Sequence, residues 1–341
     1  RRPRPHGRAV SALRAAAPAR AFQVAPVGES GRFGVVAARD LRAGELVAEE
    51  PPLFFLEGPA WEGTVAPQFD ELGDAGRQAV LALCNAPSSG GSQQSMLAVL
   101  ARARIPCDAF SSNSVVCAAI SQFNHSCNPN CEQSWDEDAQ LERVHTSTFV
   151  RAGEELFLPY IDVRAPIVER ARRLQRAYGF RCLCADCNTS DTEGDRRRVY
   201  MRQLERQVDG ELEFIGDRED AQRAIEKVLD LLELYDEEGL YSKSIRERAC
   251  FSAFQLAVRS GDLEDAKQWI TKAYQNSVVY RGKLHPEAQR LKVILEEPEK
   301  QPEFQVREAA TSALNILPII LFLAAAAAVV AVLTPSTPSF Y

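Results

Sequence analysis

The densest group of reactive side chains lies in residues 123–131, which read FNHSCNPNC. This stretch combines Asn, His and Cys side chains with a Pro, a composition unlike that of an ordinary core strand. A second group follows at Cys182, Cys184 and Cys187, which form the pattern C-x-C-x-x-C. Because no secretory signal is recognisable, disulfides are not the expected use of these thiols. Tightly spaced thiolates favour a metal site instead.

Three thiolates do not close a tetrahedral zinc site, so the C-x-C-x-x-C group requires a fourth ligand. Cys127 or Cys131 could supply it if the chain folds back on itself. Zinc would then hold segment 178–187 against segment 123–131. Such binding contributes on the order of 10 kcal/mol near neutral pH, which suffices to order a short segment. The alternative is that the thiols carry no metal.

The elements that must position these groups change in character along the chain. Residues 31–55 predict short strands and turns, with a turn at the RAGE sequence of residues 42–45. A second RAGE turn, at residues 151–154, lies between two predicted strands in 143–162. Helical spacing occurs over residues 68–84, and a short helix is predicted to begin at Met96 and to end before Pro106. The front half is therefore expected to be rich in short strands.

From about residue 196 the pattern predicts helices. Residues 220–235 place their apolar side chains on one helical face. Residues 246–280 predict two helices joined at Gly261, with Asp262 as the N-cap of the second. A region of three to five helices over 196–295 follows from these patterns.

Charge is distributed unevenly. Residues 1–28 carry six Arg and no acidic residue, which predicts a disordered, Arg-rich leader. Residues 29–187 carry 14 basic and 21 acidic residues, and residues 188–308 carry 20 basic and 26 acidic residues. An acidic body repels nucleic acid and attracts basic segments of other proteins. Direct nucleic-acid binding is therefore not expected.

The last 33 residues, 309–341, carry no charge. Within the hydrophobic segment 309–333, residues 316–333 form a run of 18 apolar residues, about 27 Å long as a helix. That length is at the short end of what spans a membrane, so a tail anchor is one interpretation. A buried terminal helix is the other, and Pro318 weakens the membrane interpretation.

Three motifs occur in order: FNHSCNPN, then EELFLPY, then CLCADC. Together they resemble the signature of SET-domain protein-lysine methyltransferases, over about residues 31–187. The resemblance is closest to the SET-and-MYND subgroup and its fungal relatives. The MYND zinc finger of that subgroup is missing, because residues 56–112 contain only Cys84 and Cys107.

The resemblance implies an α+β chain with four parts. After the leader, residues 29–187 would form a β-rich SET fold with a knot-like C-terminal motif and a post-SET zinc site. An all-α, tetratricopeptide-like region would follow at 196–295, and the hydrophobic segment 309–333 could form a transmembrane helix.

The resemblance also implies roles for individual residues. Cys127 would be the fourth zinc ligand beside the C-x-C-x-x-C group, and Cys131 would serve packing. Tyr160 and Tyr178 would be the catalytic aromatic residues of the lysine channel. The implied contacts to S-adenosylmethionine are Arg32, Gly34, Asn113, Phe123, Asn124, His125, Tyr160 and Phe180.

Each of these roles has a structural alternative. His125 could be a core histidine, and Tyr160 a core residue at the end of a strand. Tyr178 and Phe180 could both be simple core aromatic residues, and Arg32 could bind the methionine carboxylate or be solvated.

Two features depart from the family pattern. Arg32 and Phe33 separate Gly31 from Gly34 where the family prefers G-x-G, and the segment 113–124 is short. A catalytically weak or inactive SET-fold interaction module is therefore the alternative to an enzyme.

The implied reaction is methyl transfer from a sulfonium to a lysine amine of a histone or non-histone protein. A lysine amine has an unperturbed pKa of about 10.4, so an aromatic channel that disfavours the charged amine would assist attack. The expected substrate is a protein with its lysine in a basic segment. The expected location is the nucleus or cytoplasm, or a membrane reached through residues 316–333.

Overall fold

The computed structural model describes residues 21–28, 32–58, 62–85, 96–108, 111–188, 192–214 and 218–300. Within these residues a β-rich part precedes a helical part, which confirms the predicted α+β class. The strands are β1 (Phe22–Val27), β2 (Arg32–Ala37), β3 (Leu46–Glu50), β4 (Phe54–Leu56), β5 (Ile105–Pro106), β6 (Ser114–Val116), β7 (Asn124–His125), β8 (Cys131–Asp136), β9 (Leu141–Thr146) and β10 (Phe157–Leu158). The helices are α1 (Glu62–Glu71), α2 (Asp74–Asn85), α3 (Met96–Ala103), α4 (Ile167–Tyr178), α5 (Thr192–Phe214), α6 (Arg218–Glu237), α7 (Lys243–Ser260), α8 (Leu263–Arg281) and α9 (Pro286–Glu296).

The strands form four small sheets. β1 and β2 make an antiparallel hairpin, and two antiparallel three-stranded sheets have the orders β3-β9-β8 and β4-β6-β5. β7 and β10 pair in parallel, with Phe157 opposite Asn124 and Leu158 opposite His125. This last pairing brings the FNHSCNPNC and EELFLPY motifs side by side.

Both RAGE sequences form turns, as predicted. Gly44 and Gly153 have φ angles of 81° and 82°, a left-handed conformation that favours glycine. In the second turn the Arg151 backbone N–H donates to the Glu154 carboxylate at 3.0 Å. Leu41 and Val150, next to the two turns, form an antiparallel bridge that aligns them.

Two sequence-based predictions need correction in the front half. The helical pattern over 68–84 is divided between α1 and α2, because Gly73 lies where a continuous helix would run and has low helix propensity. The predicted disordered leader is too long at its end: Phe22–Val27 forms β1, and the Phe22 ring packs 5.7 Å from the Phe123 ring. Residues 1–20 and most of the predicted loop 85–95 lie outside the described residues.

The helical predictions for residues 220–235 and 246–280 are confirmed. α6 buries the predicted apolar face, and α7 ends at Gly261, whose φ angle is 78°. The Asp262 carboxylate accepts from the Asp265 backbone N–H at 3.0 Å and so caps α8. α5 was not assigned from the sequence pattern, although its buried residues Met201, Leu204 and Val208 have helical spacing.

A buried carboxylate joins the helical part to the sheet behind the FNHSCNPNC turn. Glu132, on β8, accepts from the Ser147 hydroxyl at 2.8 Å. It also accepts from the Ser242 hydroxyl and the Ser244 backbone N–H, both at 2.9 Å. The backbone N–H groups at a helix N-terminus need such acceptors, so Glu132 caps α7 from a different element. The start of α7 is thereby fixed to the strand that follows the turn.

Glu142, on β9, is fully buried, and among the described residues neither of its carboxylate oxygens has a hydrogen-bond partner. It lies opposite Glu50 in the β3–β9 pairing. Burial, with smaller contributions from Asp108 and Glu50, raises the pKa of Glu142 well above its ordinary value. The folded chain therefore holds a proton on Glu142 that the unfolded chain releases above about pH 4.5. This group's contribution to stability is greatest below that pH and decreases as the pH rises.

Glu142→Gln is expected to raise the free energy of unfolding by about 1–3 kcal/mol at pH 8.5, because the amide needs no proton to stay neutral. The gain should shrink as the pH approaches 4.5. Urea denaturation of both proteins at pH 5 and pH 8.5 would measure it, with the exposed Asp138→Asn as control. An equal gain in the free energy of unfolding at the two pH values would contradict a protonated, buried Glu142 in the folded chain.

Among the described residues, no helix has both the length and the apolar character needed to cross a membrane. The segment 316–333 lies outside the described residues.

Candidate functional site

The parallel pairing of β7 with β10 builds the centre of the candidate site. His125 Nδ1 accepts from the Tyr160 backbone N–H at 3.0 Å, and His125 Nε2 lies 3.4 Å from Cys127 Sγ. Burial lowers the pKa of His125 to about 4, so the imidazole is neutral at neutral pH. The Leu158 carbonyl lies 3.2 Å from Nδ1 and would suit the other tautomer. A thiolate at Cys127 favours the proton on Nε2, where it can be donated to sulfur.

An aromatic cluster surrounds His125. The Tyr160 ring centroid lies 4.9 Å from that of Tyr178 and 6.4 Å from that of Phe180. The His125 ring lies 6.2 Å from Phe180. The Tyr160 hydroxyl donates to the Phe123 carbonyl, and the Tyr178 hydroxyl donates to the Tyr160 carbonyl at 3.2 Å. Burial raises the pKa of both tyrosines, so both phenols are protonated at neutral pH.

The C-terminus of α4 explains why Phe180 reaches this cluster. Tyr178 is the last residue of α4, and Gly179 follows with a φ angle of 76°. The Gly179 N–H donates to the Leu174 and Gln175 carbonyls, both at 3.1 Å, which is a left-handed helix cap. This cap reverses the chain direction, so that Phe180 and the cysteines after it return toward the FNHSCNPNC turn.

The four sulfurs of Cys127, Cys182, Cys184 and Cys187 lie within 4.8 Å of one another. The Cys127 and Cys187 sulfurs are 3.4 Å apart. Sulfurs on a tetrahedral zinc with Zn–S bonds of 2.3 Å are about 3.8 Å apart, so the donor set and its dimensions fit zinc. Cys131 is buried in the core of β8 and is not part of the group.

Arg170 supplies positive charge beside these sulfurs. It is 1% exposed, and its guanidinium donates to the Asp186 carbonyl at 3.0 Å and lies 3.8 Å from Cys187 Sγ. Contacts with the Cys127 and Cys182 sulfurs, and then with Arg170, lower the pKa of Cys187 to about 7. A thiolate at this position is therefore accessible near neutral pH, as metal binding requires.

A second group of contacts joins Asn124 to the N-terminal hairpin. Asn124 Nδ2 donates to the Phe33 carbonyl at 2.9 Å and to Glu155 Oε1 at 2.7 Å, and Arg32 lies 3.7 Å from Glu155. A Cβ atom on Gly34 would lie 2.4 Å from Glu155 Oε1 and 2.7 Å from Asn124 Nδ2. Only glycine leaves room for this arrangement. Glu155 was not identified from the sequence, although it belongs to the EELFLPY motif.

Two predicted cofactor contacts have other partners. Asn113 Oδ1 accepts from the Gly58 backbone N–H at 3.0 Å, and the Asn113 carbonyl accepts from Cys107 N–H at 3.1 Å. These contacts hold Asn113 at the start of β6, in a different sheet from β7. The Phe123 ring is fully buried in the core, and its carbonyl is the group that accepts from Tyr160.

Comparison with known proteins identifies the family of the front part of the chain. Residues 32–161 match the family model described as SET domain. Residues 32–161 are therefore similar to SET domains. This result confirms the resemblance in the first two of the three ordered motifs, and the matched residues contain Asn124, His125 and Tyr160.

The related proteins match over the SET region. Histone-lysine N-methyltransferase set5 of Schizosaccharomyces pombe is 27% identical over 166 residues, which are 48% of this chain and 50% of that protein. N-lysine methyltransferase SMYD2 of Homo sapiens is 35% identical over 85 residues, which are 25% of this chain and 19% of that protein. The chain therefore spans at most half the length of these relatives.

One solved structure that resembles the chain is the SET domain of LSMT bound to lysine and AdoHcy. It has a TM-score of 0.31 and 13% identity, and the match covers 83% of this chain and 88% of that one.

Proposed function

We propose that this chain is an S-adenosylmethionine-dependent protein-lysine N-methyltransferase that acts on a histone or non-histone protein. The observation that carries the proposal is the contact of the two SET motifs at His125, where the imidazole accepts from the Tyr160 backbone N–H. That contact places the Tyr160 phenol on the Phe123 carbonyl, directly beside Asn124. Relatives named as lysine methyltransferases match the same region, which supports the same conclusion.

In this proposal the residues of the chain bind and orient two reactants. Asn124, His125, Phe180, Gly34 and Arg32 would line the cofactor side. Asn113 and the Phe123 carbonyl would complete the set of cofactor contacts. Asn113 would contribute indirectly, because its side chain holds Gly58, just after β4.

Tyr160 and Tyr178 would line the lysine channel. Their ring centroids are 4.9 Å apart, Tyr178 is buried and Tyr160 is partly buried, so a lysine amine beside these two rings would lose hydration. Loss of hydration disfavours the charged ammonium and increases the fraction of neutral amine that can attack. As the new N–CH₃ bond forms, the S–CH₃ bond breaks, and the protonated product amine then releases a proton. Alignment of the reactants would lower the entropic part of the barrier.

Zinc, when bound by Cys127, Cys182, Cys184 and Cys187, would supply a structural crosslink and no step of the reaction. The geometry of the four sulfurs and the charge of Arg170 support this assignment. The crosslink would hold Phe180 against His125.

The finer architecture belongs to the proposal as well. The knot-like motif would comprise the crossing of segments 123–131 and 157–162, and the helices α6 to α9 would be tetratricopeptide-like hairpins. The acidic composition supports a substrate lysine in a basic segment rather than a nucleic acid. We propose a nuclear or cytoplasmic location, with membrane attachment through 316–333 as the alternative.

The test is transfer of labelled methyl groups from S-adenosylmethionine by the full chain to proteins of a cell extract. We expect label on lysine side chains, and its loss in Asn124→Ala but not in the control Asn276→Ala on α8. If calorimetry detects no binding of S-adenosylmethionine to the parent chain, the proposal is wrong. The chain would then be a SET-fold interaction module.

A further inference from the structure

Glu155 places a negative charge beside the residues proposed to bind the cofactor, and none of the roles above uses that charge. Its carboxylate accepts from Asn124 Nδ2 at 2.7 Å and lies 3.7 Å from the Arg32 guanidinium. The Glu155 side chain is 14% exposed, whereas the Arg32 side chain is 54% exposed. The acidic member of this pair is therefore the more sheltered from solvent.

The backbone fixes the position of this carboxylate. Glu155 forms a bridge with Val36 on β2, and its carbonyl accepts from Asn130 Nδ2 at 2.9 Å. The next residue, Leu156, donates to the Val35 carbonyl at 2.7 Å. Glu155 Oε1 lies in the space that a Cβ on Gly34 would fill. Gly34 therefore leaves the space that the Glu155 carboxylate occupies. The contacts of the Glu155 backbone hold the charge in place without a ligand.

The field of Glu155 reaches the proposed position of methyl transfer. The pKa of Tyr160 is raised first by burial, then by Tyr178 and by Glu155, while Arg32 opposes the rise. Arg32 compensates the charge of Glu155 only in part. Its guanidinium lies 3.7 Å from the carboxylate and its side chain is 54% exposed, so water screens the interaction between the two charges. Glu155 therefore contributes a negative potential to the space between Asn124 and the Tyr160 phenol.

A negative potential here distinguishes the methyl donor from its by-product. S-adenosylmethionine carries a sulfonium charge, and the loss of the methyl group converts this sulfur to a neutral thioether. The same pocket must bind the cationic donor and release the neutral thioether product. Because the transferred charge moves only from sulfur to the amine nitrogen nearby, Glu155 would affect the chemical step less than it affects the relative affinity for the two compounds.

We propose that Glu155 is a specificity-determining residue whose carboxylate makes the site prefer the cationic donor to the neutral by-product. The inference rests on the proposed function. It predicts that the charge of Glu155, more than its hydrogen bond to Asn124, sets the ratio of the two dissociation constants. Glu155→Gln keeps an acceptor for Asn124 Nδ2 and removes the charge, so it separates the two effects.

The experiment is calorimetric titration of the full chain with S-adenosylmethionine and with S-adenosylhomocysteine. In Glu155→Gln we expect the preference for the donor to fall about fivefold, mainly through weaker donor binding. Glu155→Asp, which keeps the charge, and Glu154→Gln, which removes a neighbouring exposed charge, should each stay within about twofold of the parent ratio. If Glu155→Gln does not fold, the ratio of the two dissociation constants is measured for the parent chain at low and at high salt. Salt screens the charge of Glu155, so the preference for the donor should be smaller at high salt.

Equal weakening of both ligands in Glu155→Gln would overturn the inference, because it would indicate a structural role. An unchanged ratio in that variant, or a salt-independent ratio in the parent where the variant does not fold, would overturn it as well. These results would leave the proposed function intact. If the parent chain binds neither ligand, the proposed function is wrong and the inference falls with it.

Discussion

Cys184→Ser is expected to remove zinc from the chain and to disorder the segment that follows α4. The parent should contain about one zinc per chain, and the variant well under half of that amount. Structural zinc contributes on the order of 10 kcal/mol, which is comparable to the whole stability of a domain. Because Phe180 precedes these cysteines closely in the chain and its ring lies 6.2 Å from the His125 ring, we expect methyl transfer to become undetectable. Elemental analysis and thermal unfolding of both proteins measure the effect.

The matched control is Cys250→Ala, which removes a buried thiol from the helical core far along the chain from the sulfur cluster. It should keep its zinc even if its melting temperature falls. Zinc content that is unchanged in Cys184→Ser would contradict the four-thiolate site. Absence of zinc from the parent protein would contradict it more directly.

Tyr160→Phe is expected to lower kcat about 100-fold while donor affinity changes less than about threefold. The Tyr160 hydroxyl donates to the Phe123 carbonyl, a contact that fixes the phenol next to the Asn124 turn. Its removal leaves the ring in the aromatic cluster, so binding should persist while the alignment of sulfur, methyl and amine is lost. Single-turnover rates with labelled donor, together with calorimetry, separate the two quantities.

Tyr200→Phe, on the exposed side of α5, is the control and should keep the parent rate. Tyr178→Phe should have a smaller effect than Tyr160→Phe, because its hydroxyl contacts the Tyr160 carbonyl rather than the Asn124 turn. A kcat within about fivefold of the parent in Tyr160→Phe would show that the phenol is not part of the catalytic arrangement.

Much of the local structure could be predicted from the sequence because it depends on residues close together in the chain. The period of apolar residues located α6, and Gly261 with Asp262 located the boundary between α7 and α8. The RAGE turns followed from a glycine at a left-handed position. The resemblance to SET domains was evident from the order of three short motifs, and the first two lie within the residues that match the SET-domain model.

Local sequence patterns did not predict structure that depends on contacts with residues far away in the chain. The sequence pattern assigned Phe22–Val27 to the disordered leader. Pairing with β2 and the contact of Phe22 with Phe123 instead stabilise these residues as a strand. Asn113 matched a family position, yet its side chain is used by the loop after β4.

The sequence by itself indicated the resemblance to SET domains, the helical periods and the residue types of the candidate site. Residue spacing left Cys127 and Cys131 open and the resemblance implied Cys127; the tertiary structure decided the question by bringing the Cys127 sulfur to the other three. It also decided that Glu155 lies on Asn124. The physical reason is the same for both results. Spacing along the chain fixes which side chains share a turn or a helical face, whereas contacts between residues 30 to 60 positions apart depend on how β7, β10 and the end of α4 pack together.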